Sequence, residues 1–451
     1  LEREVRFVSG FKRLAAVVTA AATLSGCSGV NFSIDGLLAA PKLTEEQSKL
    51  HEALISAVGR NITLKYPRNG SYRSAYMIAD IDDEPTDEAL VFYEYTGAES
   101  EGLRVNLLDK KEDGSWYSVK EIAGAGTEID QVIISSMGTG GEKDILVGYQ
   151  NIAGDNSLEI YTYSDNSFKR IGTQNYSLLE DIDINGDNLD ELITIQNTVD
   201  AETGAETAKA YLLKVENGEI TTDDGIDMCP GTQSYIKAYS GKLSTGDPAV
   251  YIDETDSDGQ LRTEIIFYRY SELQNPVQLR QEKMLSQCTR PVGYNCDDID
   301  ADGVYEIPST QPMLGYESAV SEEQLLKTTW CVYKDFFTLE GKFSGYYSVA
   351  DGYMMCFPSR WEDSVTVKLD SETGEAVFYK YSGDINAYMT ELMRIRTVTS
   401  DETEEYTHDG YRLIASKGQI DYLVKLPTDK REKLILTVDE IENNFYIVGN
   451  S

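Results

Sequence analysis

Residues 297–307 read DDIDADGVYEI, with carboxylates at every second position, then a glycine, then a glutamate entering an apolar run. Oxygens spaced in this way can surround a hard cation, and Ca2+ takes roughly 6–8 of them. Counting from Asp298, side-chain oxygens come from Asp298, Asp300, Asp302 and Glu306 at positions 1, 3, 5 and 9. Val304 at position 7 offers its main-chain carbonyl, and Gly303 supplies the positive φ that turns the chain around the ion. The spacing is that of a calcium loop.

The pattern occurs twice more. Asp183, Asn185, Asp187, Leu189 (through its carbonyl) and Glu191 repeat it, with Asn188 where glycine is expected. Asparagine tolerates that left-handed conformation. Asp80, Asp82, Glu84, Thr86 and Glu88 form the third set, but Pro85 cannot adopt positive φ, so this loop must close differently. Ligand types and turn chemistry therefore order the loops 298, 183, 80. Two further loops, residues 136–144 and GKLSTGDPAV, keep the turn without the carboxylates. DETDSDGQLRTE, residues 253–264, is as acidic, but its place between AVYID and EIIFYRY makes it a hairpin turn. No glutamate sits at position 12 and strands flank the loops, which argues against an EF-hand.

The flanking segments are short, alternate with period two and are separated by polar turns: YMIADI, EALVFYEY, VIISS, DILVGY, LEIYTY, ELITI, AYLLKV, AVYID, EIIFYRY. Aligned on their first loops, at residues 80, 136, 183, 241 and 298, they repeat in steps of 56, 47, 58 and 57 residues. Each unit reads strand, loop, strand, hairpin, strand, turn, strand, the length of a four-stranded propeller blade. The expected fold is mainly β: a propeller of about five blades, then a small α+β domain over 345–451. Ahead of the propeller, LTEEQSKLHEALISAVG reads as a helix. Thr44 is its N-cap, Gln47 stands at N3, and Leu50, Ala53, Leu54, Ala57 and Val58 form one face. Helix and propeller together fill 43–344.

The acidic loops, in this register, resemble the FG-GAP/VCBS repeat of bacterial propellers and integrin alpha chains. That resemblance covers roughly residues 70–344 and implies calcium in the loop joining the first two strands of a blade. Gly352-Tyr353, Phe357-Pro358 and Trp361 resemble the opening of PsbP-like domains and bring no catalytic residue with them.

The first residues have the parts of an export signal. Arg6, Lys12 and Arg13 precede a short apolar run, Leu14 to Leu24, too short for a stable membrane anchor. It ends in Leu24-Ser25-Gly26-Cys27, which resembles the lipobox of bacterial lipoproteins. The resemblance implies a signal peptide over 1–26, lipid on Cys27, a linker over 27–42, and a chain tethered to the cell membrane on its extracytoplasmic face. Five other cysteines remain, an odd number, with no CxxC pair among them. They are expected to be core residues.

Net charge is −37, from 40 basic and 77 acidic residues, so nucleic acid and anionic lipid surfaces are repelled. The two histidines, His51 and His408, exclude a His-rich zinc site and lack a nucleophile beside them. Phosphate loops, nucleophile elbows and HExxH are missing from the sequence. No catalytic residue is assigned. The leading expectation is a binding or scaffolding protein with a protein or glycan partner. A carbohydrate-binding surface drawn from the 30 tyrosines is the alternative, followed by an Asp/Glu hydrolase.

Overall fold

The computed structural model describes residues 44–96, 102–139, 141–151, 156–199, 206–279, 287–320, 324–429 and 431–449. The export segment and Cys27 lie outside these. The chain divides into two compact units, residues 1–52 and 53–451.

In the first unit, the described part is the start of the helix Glu45–Val58. Its capping box is formed as expected: the Gln47 amide donates to Thr44 Oγ1 and the Thr44 amide to Gln47 Oε1, both over 3.1 Å. Of the expected apolar face, Leu54 is buried but Ala57 is exposed.

The second unit is built of antiparallel sheets of four or five strands each. The first has Tyr76–Ala79 and Ile62–Leu64 side by side on Glu88–Tyr95, followed by Leu103–Lys110 and Trp116–Ala123. The second is Glu128–Ser135, Asp144–Gln150, Asn156–Ser164 and Ser167–Tyr176. The third runs Leu178–Ile182, Glu191–Val199, Glu206–Glu216 and Glu219–Thr222, with Ile226–Asp227 also on Glu206–Glu216. The fourth is Thr232–Lys242, Pro248–Asp256, Leu261–Arg269 and Glu272–Gln274. Each marker loop named above lies at the end of the first strand of its unit. In the fifth sheet that first strand shrinks to a bridge between Asp297 and Glu306.

Burial explains the sequence texture of these strands. The second strand of a sheet is covered on both faces, so EALVFYEY and DILVGYQ read as continuous apolar runs. The fourth strand faces water, and EITT is almost wholly exposed. Successive sheets pack on one another. Phe92 and Leu107 of the first meet Ile145 and Tyr161 of the second; Leu146 and Ile160 of the second meet Leu192 and Leu213 of the third. Ile193 meets Ile252 of the fourth, and Tyr251 meets Ile307 of the fifth. Neighbouring marker loops also touch, except the third and fourth, for which no such bond is seen among the described residues: Lys143 donates its amide to the Ile81 carbonyl over 2.6 Å, Asp190 to Ser136 over 3.0 Å, and Lys242 to Gly303 over 2.9 Å.

The fifth sheet continues past residue 345. Its strands are Ile307–Pro312, Leu326–Tyr333, Leu339–Ser348 and Tyr353–Cys356, with Phe445–Ile447 returning to pair with Tyr353–Cys356. Leu339–Ser348 thus runs across the position where the sequence places a domain boundary. The physical reason is a shared core: Tyr346 and Tyr353 pack with Trp361, Val365 and Phe378. The residues between form a sixth antiparallel sheet, in the order Val365–Leu369, Ala376–Lys380, Thr390–Thr399, Ile420–Lys425, Arg412–Lys417. Two short helices, Thr403–His408 and Val438–Glu442, complete it.

Residues 253–264 form a hairpin turn, as their position suggests: Asp256 Oδ1 accepts the amides of Asp258 and Gln260, both over 2.9 Å. Its inward carboxylates are matched by arginines, Asp253 by Arg290 and Glu254 by Arg262. Cys229, Cys288, Cys296, Cys331 and Cys356 are all free and buried.

Candidate metal loops

The three acidic loops share one internal bond. The glutamate at position 9 is buried in each, and one of its oxygens accepts the amide of position 2. Ile81 donates to Glu88 over 2.8 Å, Ile184 to Glu191 over 3.2 Å, and Ile299 to Glu306 over 2.9 Å. The position-1 aspartate organises the turn from the other side. Asp298 accepts the amides of Asp302 and Gly303 over 3.0 and 2.8 Å. Asp183 accepts those of Gly186, Asp187 and Asn188, over 2.8, 3.0 and 2.9 Å.

Turn chemistry follows the sequence with one addition. Gly303 and Asn188 have φ of +82° and +69°. Position 4 is left-handed as well, at Ala301, Gly186 and Asp83, with φ of +56°, +79° and +61°. The Asp80 loop makes its turn at Asp83, which is how it closes ahead of Pro85. Asp83 is held there by its amide, which donates to Asp80 Oδ1 over 3.0 Å.

One carboxylate oxygen from each of Asp80, Asp82 and Glu88 lies within 4.8 Å of the others, and the same holds for Asp298, Asp300 and Glu306. Oxygens on opposite sides of one Ca2+ stand about 5 Å apart, so both sets have the span for a shared ion. Glu84 and Thr86 are exposed beside the first set. Asp302 and Val304 complete the other loop, where the Val304 amide donates to Asp302 Oδ1 over 2.8 Å. At 183–191 the acids are not gathered in this way. Asn185 Nδ2 donates to Asp187 over 3.0 Å and also to Glu191, while Lys214 Nζ lies 3.3 Å from Glu191. Leu189 donates its amide to Asp187 over 2.9 Å.

What distinguishes the loops is the counter-charge, and the sequence reading missed it. In the 298 loop, Lys342 Nζ lies 2.9 Å from Asp300, 2.8 Å from Asp302 and 2.8 Å from Glu306. Three donors meet three carboxylates, which fills the ammonium's capacity. Burial alone would lower the Lys342 pKa; the bonds to Asp300, Asp302 and Glu306 raise it. Burial lifts Glu306 to about 7, with Lys342 opposing it.

Among the described residues no such cation reaches Glu88. It is 1% exposed, and its Oε1 has no hydrogen-bond partner among the described residues. Burial, and after it Asp82 and Asp109, lift its pKa to about 7. Asp82 is also pushed up, by burial and then by Glu84, Asp109 and Asp80. A cavity of about 710 Å3 lies alongside, lined in part by Asp82, Glu84, Asp109 and Tyr163. The residues of the 80 loop therefore fit a divalent cation. In the 298 and 183 loops, lysine or amide donors already point at the carboxylates.

Few of the described aromatic side chains are exposed. Tyr93, Tyr149, Tyr161, Tyr163, Tyr176, Tyr251, Tyr333, Tyr353 and Tyr422 are fully buried; Tyr66, Tyr270 and Tyr388 are exposed, on separate parts of the chain. His408 is exposed and His51 half-buried. No helix among the described residues is long and apolar enough to cross a membrane.

No family model matches the chain, and no curated protein does. Solved structures similar to it include the exotype rhamnogalacturonan lyase YesX, at 10% identity and a TM-score of 0.29, covering 73% of this chain and 74% of that one. A putative 6-phosphogluconolactonase from Bacteroides fragilis is similar at 9% identity and TM-score 0.30, over 73% and 93% of the two chains. The endo-arabinase from Bacteroides thetaiotaomicron is similar at 12% identity and TM-score 0.25, over 64% and 99%.

Proposed function

We propose that this chain is an exported β-propeller of the FG-GAP/VCBS kind, stiffened by Ca2+ and anchored by lipid on Cys27. It works as a binding or scaffolding protein on the extracytoplasmic face of the membrane. The propeller reading is supported by sheets that pack in sequence order and by bonds between three of the pairs of neighbouring marker loops. The observation that carries the metal reading is Glu88, a buried carboxylate with one oxygen unpartnered beside Asp80 and Asp82. A buried, unpaired carboxylate is costly, and a cation held by Asp80, Asp82 and Glu88 removes that cost. The ion supplies charge neutralisation and ties the loop together; no chemical step is assigned to it. Exposed loops carry the partner surface, and a glycan partner has less support because few of the tyrosines are exposed.

The test is thermal unfolding in calcium and in EDTA. A cation that binds the folded state alone adds about 2.7 kcal/mol at a hundredfold excess over Kd. A melting temperature that does not respond to EDTA overturns the metal reading.

A further inference from the structure

The loop at 298–306 has the fullest set of acidic ligands by sequence, and it also holds a lysine ammonium among them. How that lysine arrives there is specific. In the pairing of Leu326–Tyr333 with Leu339–Ser348, Trp330 opposes Phe343 and Cys331 opposes Gly341, so Lys342 is the extra residue of a β-bulge. A bulge re-aims the side chain it carries. The first and second sheets have the same bulge between their third and fourth strands. There the extra residues are Val119, between Lys120 and Ser118, and Ile171, between Gly172 and Arg170. Both are apolar and pack against the cores of their sheets. The bulge is thus a recurring position, and only in the fifth sheet of these three does it carry a cation.

The strand next to each position-9 glutamate points the same way. Beyond the Ala89–Leu108 pair, Glu88 has Asp109 as its neighbour, which repels it. Beyond the Leu192–Leu213 pair, Glu191 has Lys214. In the fifth sheet that neighbour is Val332, beyond the Ile307–Cys331 pair, and the positive charge comes from the bulge instead. Glu191 and Glu306 are thus neutralised from different places, and among the described residues Glu88 alone of the three has no lysine beside it.

We propose that Lys342 takes the place of the metal in the 298 loop, as an ammonium built into the chain, so that this loop binds no divalent cation. A divalent ion and the ammonium need the same oxygens of Asp300 and Glu306. The ion would have to expel a tethered cation that makes three charge-assisted bonds. The inference rests on the reading that the 80 loop holds a cation, which supplies the contrast between a loop with its own lysine and one without.

Calcium titration calorimetry on the full chain and its variants separates the two. The wild type is expected to bind one Ca2+, with Asp80→Asn weakening it by about tenfold or more and Asp300→Asn changing it less than about twofold. Lys342→Val, which installs the residue type found at the other bulges, is expected to add a second Ca2+, lost again on adding Asp300→Asn. If Lys342→Val does not fold, Lys342→Gln keeps the polar reach without the charge, and the Asp300→Asn result in the wild-type background stands by itself. Calcium binding by the wild type that Asp300→Asn abolishes overturns the inference. So does a folded Lys342→Val or Lys342→Gln protein that gains no site. A wild type that binds none while Lys342→Val binds one sinks the reading of the 80 loop and leaves the lysine inference standing.

Discussion

Arg290 and Asp253 form an ion pair with no solvent exposure on either side chain, Nη2 to Oδ1 over 2.7 Å. It joins residues 287–296 to the inner strand of the fourth sheet. The remaining lone pairs of Asp253 are taken up by the Cys296 amide, over 2.8 Å, and Thr263 Oγ1, over 2.7 Å. Removing the guanidinium leaves a buried carboxylate without its cation. Arg290→Met is expected to cost about 3–5 kcal/mol in urea unfolding. A loss below about 1 kcal/mol would show that water reaches Asp253.

Glu88→Gln separates charge from shape. The amide keeps an oxygen for the Ile81 N–H and offers a donor toward Asp80 and Asp82. In EDTA at pH 8, above the raised Glu88 pKa of about 7, the variant is expected to melt higher than the wild type, because the buried unpaired charge is gone. In saturating calcium the order should reverse, since the wild type gains about 2.7 kcal/mol at a hundredfold excess over Kd and the variant gains less. Curves that keep the same order in both buffers would refute the site.

Asp144, in the loop without metal-type acids, gives a pH signature. Burial lifts its pKa from 3.8 to about 6, and Glu142 adds to the shift. A carboxyl with a raised folded pKa favours folding fully below its unfolded pKa, and that contribution is lost as pH rises through the folded value. Asp144→Asn should therefore leave stability near pH 4 almost unchanged and raise it at pH 8, by roughly 3 kcal/mol at most. Chemical denaturation at the two pH values reads the difference.

Asn188 tests the turn. Its φ of +69° costs a side chain with a bulky Cβ about 1–2 kcal/mol, and glycine nothing. Asn188→Gly is expected to be close to neutral and Asn188→Val to destabilise by that amount in thermal melts. Equal effects would mean that the Asn188 side chain, not its backbone, matters.

The loops were legible because everything that shapes them is local. Asp298, Gly303 and Glu306 fall within nine residues, and their amide bonds stay inside the loop. The strands were legible for the same reason: DILVGY announces a strand covered on both faces. Lys342 was not, since it stands 36 residues beyond Glu306 and reaches it through a bulge. One lysine in GKFSGYY carries no local mark of that. The return of Phe445–Ile447 to the fifth sheet was equally silent, because non-local pairing leaves its trace in neither partner.

That return fixes an order of events. The first four sheets draw their strands from near neighbours, so a chain emerging from its N-terminal side can complete them one after another. The fifth waits, because Tyr353 pairs with Ile447, which follows every strand of the sixth sheet along the chain. Pairings of such long separation form slowly. Until residues 445–447 arrive, the outer edge of Tyr353–Cys356 is an unpaired strand, the kind of edge on which nascent chains aggregate. Truncation just before Phe445 should therefore harm yield during biogenesis more than it harms any of the acidic loops.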